Sequence, residues 1–423
     1  MNRLYLTALL AMLCSAGMTP ATAQQRYTID ECRRMAVEEN ARMKTARNDL
    51  AGAEQSRKEA FTNYFPTVSL IGGAITTTDG VLQMAMGPQK MKLMEEGLAG
   101  GAMAALPVYG GGRIRNGNRL ARLGQQVSAM QLEKTENEVL LAVEQYYWQI
   151  VVLNEKLRTV QQAEALLERI HTDAKAAVDA GIKNRNDLLQ VELRYNDLRS
   201  TRLDIENNIA ISKRLLAQYV GADPDDFDVA SSLDGPVTAP VALRVDHTAA
   251  LDATPEYRML SSGVDAARLQ KRMTLGEHLP SVAVGGAYVY NDLMGFSQNT
   301  VVGYVSVSIP ISWKAPYSVK RRKYELENAQ TRFEDGSEQL LIRMQKAWND
   351  LTSAYEKILI AQESIEQSTE NLRLNEDYYK AGTSSMSDLL NAESLYQQSR
   401  DKLIETKAQY EIKKTEYLQA TGR

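Results

Sequence analysis

"AGIKNRNDLLQVE", residues 180–192, returns as "AGTSSMSDLLNAE" at residues 381–393. Each stretch is an Ala-Gly, five variable residues and Asp-Leu-Leu, and the offset from 180 to 381 is 201. Gly221, closing "LLAQYVG", and Gly422, closing "EYLQATG", keep that offset. A long internal period is read before any local motif, and this one predicts a tandem duplication. Within each copy the stretch reads as a turn between helices. Gly181 and Gly382 suit the left-handed position that ends a helix. Asp187 and Asp388 are expected to N-cap the next one, with Gln190 a capping-box partner for Asp187.

The helices around these turns are long. From about residue 113 to 180 there is no proline, and a 3-4 apolar spacing runs through Val139, Val143, Tyr146, Ile150, Leu153, Leu157 and Val160. That is a coiled-coil pattern of roughly 100 Å at 1.5 Å per residue. Its copy, about 318–381, carries Met344, Leu351 and Ile358 one repeat after Val143, Ile150 and Leu157. Shorter helices are predicted over about 28–62, 187–219, 246–276 and 388–420. Helical spacing alone would also suit a periplasmic structural coiled-coil protein.

The segments between the helices argue against that alternative. "PTVSLIGGAITTT" (66–78), "LAGGAMAALPVY" (98–109), "PSVAVGGAYVYND" (280–292) and "TVVGYVSVSIPISW" (300–313) read as strands. In the last, Val305, Val307, Ile309 and Ile311 share one face and Tyr304, Ser306 and Ser308 the other, the period of a strand with one apolar and one polar side. Runs of this length suffice for tilted membrane strands. Gly-Gly-Ala at 72–74, 100–102 and 285–287 is expected to relieve crowding in a curved sheet. Pro66, Pro107, Pro280 and Pro310 are expected to mark the junctions between helices and strands, where a missing amide donor costs least. Residues 79–97 and 291–299 read as loops. Four strands cannot close a membrane barrel and lipid does not tolerate an open edge, so several copies are expected to share one.

Domain organisation follows. Residues 1–23 read as a signal peptide, with Arg3, an apolar run from Leu4 to Leu13, and cleavage after Ala23. Residues 24–221 form a first repeat in the order helix, strand, strand, long helix, short helix. Residues 222–245, rich in Pro, Asp and Gly, read as a linker, which the family resemblance given below implies is an equatorial segment, and 246–423 repeat the first unit. The fold class is thus mixed α and β, with long coiled-coil helices and four transmembrane β-strands per protomer, internally duplicated; the family resemblance given below implies that the helices form a long α-helical coiled-coil barrel.

Composition narrows the function. The 49 basic and 53 acidic residues give a net charge of −4, and they are mixed along the helices, so no basic face points to nucleic acid. Cys14 lacks the small preceding residue of a lipid-attachment site, since Leu13 stands there. Cleavage leaves Cys32 the only thiol and no intrachain disulfide. His171, His247 and His278 form no metal-binding or triad pattern. "GRIRNG" (112–117) matches half of a phosphate loop, but Asn118 and Arg119 replace its Lys and Ser/Thr. The chain reads as no enzyme, with no cofactor and no metal.

Taken together, "YTIDECRRMAVEENARMK", the junctions "LPVYGGGRIRN" and "IPISWKAPYSVK", both Ala-Gly turns and the duplicated element order resemble the TolC-like outer-membrane efflux proteins (outer membrane factors) of Gram-negative bacteria over nearly the whole mature chain. The resemblance implies a homotrimer with a 12-stranded barrel and a tunnel extending into the periplasm. It implies a passive exit duct, partnered by a periplasmic adaptor (membrane fusion) protein, an inner-membrane transporter and outer-membrane lipid. Type I-like polypeptide secretion is an alternative cargo class for the same fold. It further implies that the turns holding Gly181, Asp187, Gly382 and Asp388 form the gate and adaptor-docking end, with Tyr379 a gating residue. Ser384 stands where the family pattern has a gate arginine, and Asn391 where it has a further acidic residue.

Overall fold

The computed structural model describes residues 25–78, 82–86, 89–93, 96–230, 233, 235, 237–293 and 297–423. The expected signal peptide and its cleavage site at Ala23 lie outside the described residues. The chain is organised in two compact units, and each draws on both halves of the sequence. One comprises Met1–Thr45, Thr135–Ala250 and Leu341–Arg423; the other comprises Ala46–Lys134 and Leu251–Leu340.

The first unit is built on helices. Strand β1 (Gln25–Tyr27) leads into α1 (Ile29–Glu39), whose N-terminus is closed by a capping box between Thr28 and Glu31. The single helix expected over 28–62 is divided at Asn40, an extended residue, before α2 (Ala41–Thr62) begins. Asn40 is held there by donating to the Tyr219 carbonyl at 2.9 Å. The long helix α3 (Arg113–Asp179) and α4 (Arg185–Val220) follow, and α6 (Ala315–Lys380) and α7 (Met386–Ala420) are their later counterparts. Between these pairs in the chain come a single helical turn (His247–Ala250) and then α5 (Pro255–Gly276), which belongs to the second unit. Buried residues recur in threes and fours along α3 (Val160, Ala163, Leu167, Ile170, Ala174) and in sevens along α4 (Val191, Leu198, Ile205), the spacing of side-by-side coiled-coil packing. Of the predicted seam, Val139, Val143, Ile150 and Val160 are buried. Tyr146, Leu153 and Leu157 are half-buried, and Tyr147 and Val151 are fully enclosed. Met344, Leu351 and Ile358 are all buried on α6.

The described residues of 222–245 are tied to the strand β1 and the helices. Strand β6 (Phe227–Val229) pairs in parallel with β1, and the Tyr27 and Phe227 rings stack 5.1 Å apart. Further along, the carbonyls of Leu233 and Thr238 accept from Lys407 Nζ (2.7 Å) and Tyr410 Oη (2.6 Å) of α7. The Pro, Asp and Gly content reports irregular backbone here, and side chains of α7 satisfy its carbonyls.

The second unit holds the sheet. Strands β2 (Thr67–Thr76), β5 (Glu96–Gly110), β7 (Ser281–Asn291) and β8 (Gln298–Ser308) are antiparallel in the order β2-β5-β7-β8. All four expected strands are present. Residues 79–97, expected as a loop, instead contain a hairpin of β3 (Leu82–Met86) and β4 (Gln89–Leu93) before β5 starts. Register places Leu70, Ala102, Tyr288 and Val301 in one row across all four strands. With Val68, Val305 and Val307 they make one face apolar. Thr67, Ser69, Thr300, Tyr304 and Ser306 share the other with Ile71, Met103, Val289 and Val302, so that face is mixed. Leu70 and Val301 are 83% and 80% exposed, so this apolar face is uncovered in the single chain.

Three of the four prolines fall at strand ends: Pro66 and Pro280 immediately precede β2 and β7, and Pro310 lies two residues past β8. Pro107 does not. It sits inside β5, where the register with β7 shifts between Pro107 and Tyr109, and a bulge of this kind spares the missing amide. The glycines also divide. A Cβ on Gly101 would come within 2.1 Å of the Tyr288 carbonyl oxygen and one on Gly285 within 2.5 Å of the Tyr304 ring, whereas Gly72 and Gly73 have open space. Crowding therefore explains the first two and not the second two.

Candidate functional site: the twin helical turns

Both Ala-Gly stretches close a long helix in the same way. Gly181 (φ 74°) and Gly382 (φ 76°) are left-handed. In the first turn the amides of Gly181 and Ile182 donate to the carbonyls of Val178 and Ala177; in the second, those of Gly382 and Thr383 donate to Tyr379 and Tyr378. This pair of bonds satisfies the last carbonyls of a helix and needs a residue tolerant of positive φ. All four bonds lie between 2.9 and 3.1 Å.

The helix starts depart from expectation. Asp187 and Asp388 do not N-cap the following helices; both occupy the third helical position, because α4 and α7 begin two residues earlier, capped by Asn184 and Ser385. At Ser385 the capping box is complete. Its hydroxyl accepts from the Asp388 amide at 3.2 Å, and the Asp388 carboxylate accepts from the Ser385 amide at 3.1 Å and its hydroxyl at 2.6 Å. Ser384 adds a third bond to the same carboxylate at 3.3 Å. The Ser385 hydroxyl, its amide and Ser384 together hold the Asp388 carboxyl below the usual aspartate range. At Asn184 the side chain makes no cap bond, so Asp187 and Gln190 form no such box. Asn391 is exposed on the first turns of α7.

Tyr379 is where the two turns meet. Its ring packs on the buried cluster that includes Leu167, Ile170 and Leu389, and its hydroxyl is buried without a hydrogen-bond partner. Lys183, two residues after the first glycine, places its ammonium 3.1 Å from the ring centroid, a cation–π contact. A cleft of about 410 Å³ lies beside them, lined by Arg169, Lys183, Glu376, Tyr379 and Leu389 among others. The family resemblance singled out Tyr379 but not Lys183. The signal was present, because position 183 is the 201-residue counterpart of 384. The cation sought after the second glycine is Ser384 there, and a lysine occupies the equivalent place after the first.

Deeper in the helices, carboxylates are taken out of water with arginine partners. Glu144 accepts from Arg33 Nε at 2.7 Å and from Trp148 Nε1 at 2.7 Å. Glu393 accepts from Arg194 Nε and Nη2 at 3.2 and 3.1 Å. Burial nevertheless pushes Glu393 up, with Arg194 opposing it. Among the described residues, no group of three or more His, Cys, Asp and Glu is placed to hold a metal, and no helix is long and apolar enough to cross a membrane.

Against this geometry, the family model for outer membrane efflux proteins matches residues 33–222 and 248–423. The chain belongs to the outer membrane efflux protein family. These are passive channels, not enzymes. No curated protein sequence matches the chain, but solved structures of the same fold do. The outer membrane protein VceC of Vibrio cholerae aligns at 14% identity over 93% of this chain and 96% of its own, with a TM-score of 0.78. The outer membrane channel CmeC of Campylobacter jejuni aligns at 14% over 93% and 85%, TM-score 0.80. The Neisseria gonorrhoeae MtrE outer membrane channel, in its open state, aligns at 15% over 93% and 88%, TM-score 0.77. Membership of the outer membrane efflux family places the protein in the outer membrane of a Gram-negative cell as an efflux channel.

Proposed function

We propose that this efflux protein is the exit duct of a tripartite efflux or secretion system, passively conducting substrate from a periplasmic adaptor and an inner-membrane pump to the outside. The observation that carries the reading is the sheet. Its four antiparallel strands present one apolar face, and its outer strands β2 and β8 have no further strand beside them among the described residues. In lipid such edges must be paired, and copies of the same chain supply the partners. Three copies give 12 strands, an ordinary size for an outer-membrane barrel. The helices would extend as a tunnel into the periplasm, and residues 24–221 and 246–423 would be duplicated halves joined through 222–245. The hydrogen bonds repeated at an offset of 201 support that duplication.

The twin turns would form the gate and the adaptor-docking end. Lys183 on Tyr379 would hold the two turns together, while Asp388, whose Oδ2 accepts from Ser384 and Ser385, would cap α7 and contribute charge. The test is reconstitution of the detergent-purified protein into planar bilayers. Trimers that conduct, and whose conductance changes on adding the cognate adaptor, are expected. Folded protein that inserts only as a monomer overturns the proposal.

A further inference from the structure

A second cleft, of about 450 Å³, lies where α2 and α3 approach the sheet. Its lining is Arg57, Lys58, Phe61 and Tyr64 from the end of α2 and the turn after it, and Arg115, Asn118, Arg119 and Arg122 from the start of α3. These are helical stripes facing each other, since residues three and four apart share a face. Asn118 Nδ2 fixes the approach by donating to the Ala60 carbonyl at 2.8 Å.

The charge is one-sided. Five cations line the cleft and no carboxylate does. Lys58 is paired, with Glu54 at 3.1 Å. Arg115, Arg119 and Arg122 have no acidic partner among the described residues, and the Arg57 Nε is buried with no hydrogen-bond partner. From Arg113 to Leu132, α3 carries four arginines and no acidic residue. That distribution opposes the helix dipole, whose positive end disfavours cations in the first turns. A sequence chosen for helix stability would place Asp or Glu there. The dipole and the arginines instead add, and both attract an anion.

The surroundings identify its source. Phe61, Tyr64 and Phe65 are all at least 42% exposed, the Phe61 ring lies 5.6 Å from those of Tyr64 and Phe65 between centroids, and the three lead into Pro66 and β2. Exposed aromatics with long cations at the end of a membrane strand are the residues of the headgroup layer. Arg115 to Arg122 rise about 10 Å along the helix, and the headgroup layer is about 5–8 Å deep on each side of the hydrocarbon.

We infer that this cleft binds the phosphate of an anionic phospholipid headgroup in the periplasmic leaflet of the outer membrane. The inference rests on the membrane-inserted reading above. The test uses the full-length protein in nanodiscs of phosphatidylglycerol and phosphatidylcholine, with the lipid that survives detergent extraction identified by mass spectrometry. Wild-type protein is expected to retain phosphatidylglycerol over phosphatidylcholine by about fivefold or more, as one or more basic residues at a membrane surface would give. R115Q/R119Q/R122Q is expected to fall to parity, and R268Q, a cation paired with Asp265 outside the cleft, to behave as wild type. Should the triple variant fail to assemble, R115Q and R119Q singly are each expected to lose a measurable part of the preference. Wild-type protein that stays inserted through a carbonate wash but shows no preference overturns the cleft alone; protein that washes off overturns the membrane reading with it. Retention undiminished in the arginine variants places the site elsewhere, and displacement of the lipid by 10-fold excess inorganic phosphate makes it a free-anion site; either outcome overturns the inference.

Discussion

The Tyr379 hydroxyl makes no hydrogen bond while its ring carries the Lys183 ammonium, so the two parts of one side chain predict opposite results. Tyr379→Phe keeps the ring and removes a buried, unpartnered polar group, which is neutral to stabilising. Its single-channel behaviour should match the parent. Tyr379→Ala and Lys183→Gln remove the contact, worth about 0.5–2 kcal/mol, and should increase the open fraction in bilayer recordings. A Phe variant as leaky as the Ala variant would show that the hydroxyl, not the ring, holds the turns. Asp401 gives a second residue-scale expectation. Burial lifts its carboxyl to about 6, with Lys156 opposing and Glu405 adding to the rise. The folded state therefore holds this proton more tightly than the unfolded chain. Stability from this group is present at low pH and is lost as pH rises from about 4 through 6. Asp401→Asn should raise the thermal midpoint at pH 7 and change it little at pH 4; equal shifts at both would exclude titration as the cause. Asp401 was not legible in the sequence, because what distinguishes it is burial and a neighbour, Lys156, from another helix, whereas Lys183 was marked by the repeat offset alone.

The twin turns are alike at their first ends and unlike at their second, and element-scale predictions follow from that difference. A Cβ at Gly181 or Gly382 would meet nothing within 4 Å, so the cost of substitution is purely that of the left-handed backbone. Alanine should cost about 1–2 kcal/mol at either, read as earlier proteolytic cleavage at the turn, and valine more because it is β-branched. Ser385→Ala should cost about 1 kcal/mol through its lost capping box. Asn184→Ala, with no side-chain bond to lose, should cost a few tenths at most. Equal losses at the two caps would contradict the geometry. The glycines were legible in the sequence because positive φ has few residue solutions. The caps were misplaced by three positions because Ser, Asn and Asp all suit both the cap and the first turn, and only the hydrogen bonds separate them.

At the scale of the whole molecule, the uncovered apolar sheet face and the two outer strands set the oligomer prediction. Single cysteines placed along β2 near Val68 and along β8 near Val301 should crosslink between protomers into a ladder that stops at three. Crosslinks formed only within a chain would show that the sheet closes by another route. The long helices and the four strands were readable because each obeys one period over many residues. The β3–β4 hairpin was not, since five-residue strands show too little alternation to stand out from a loop, and the α1–α2 break was hidden because Asn40 falls within the 3-4 stripe of Cys32, Ala36, Met43 and Ala46 and only its bond to Tyr219 sets it apart. The sheet order carries one more consequence, for the time course of folding. The central pairing joins Ala99 to Asn291, so the hairpins on either side can form locally but cannot unite until most of the chain has been made and exported. Contacts that distant are slow to form. During that interval each half-sheet would expose apolar rows and open edges to water, which predicts that the yield of folded protein depends on what shields those edges more than its final stability would indicate.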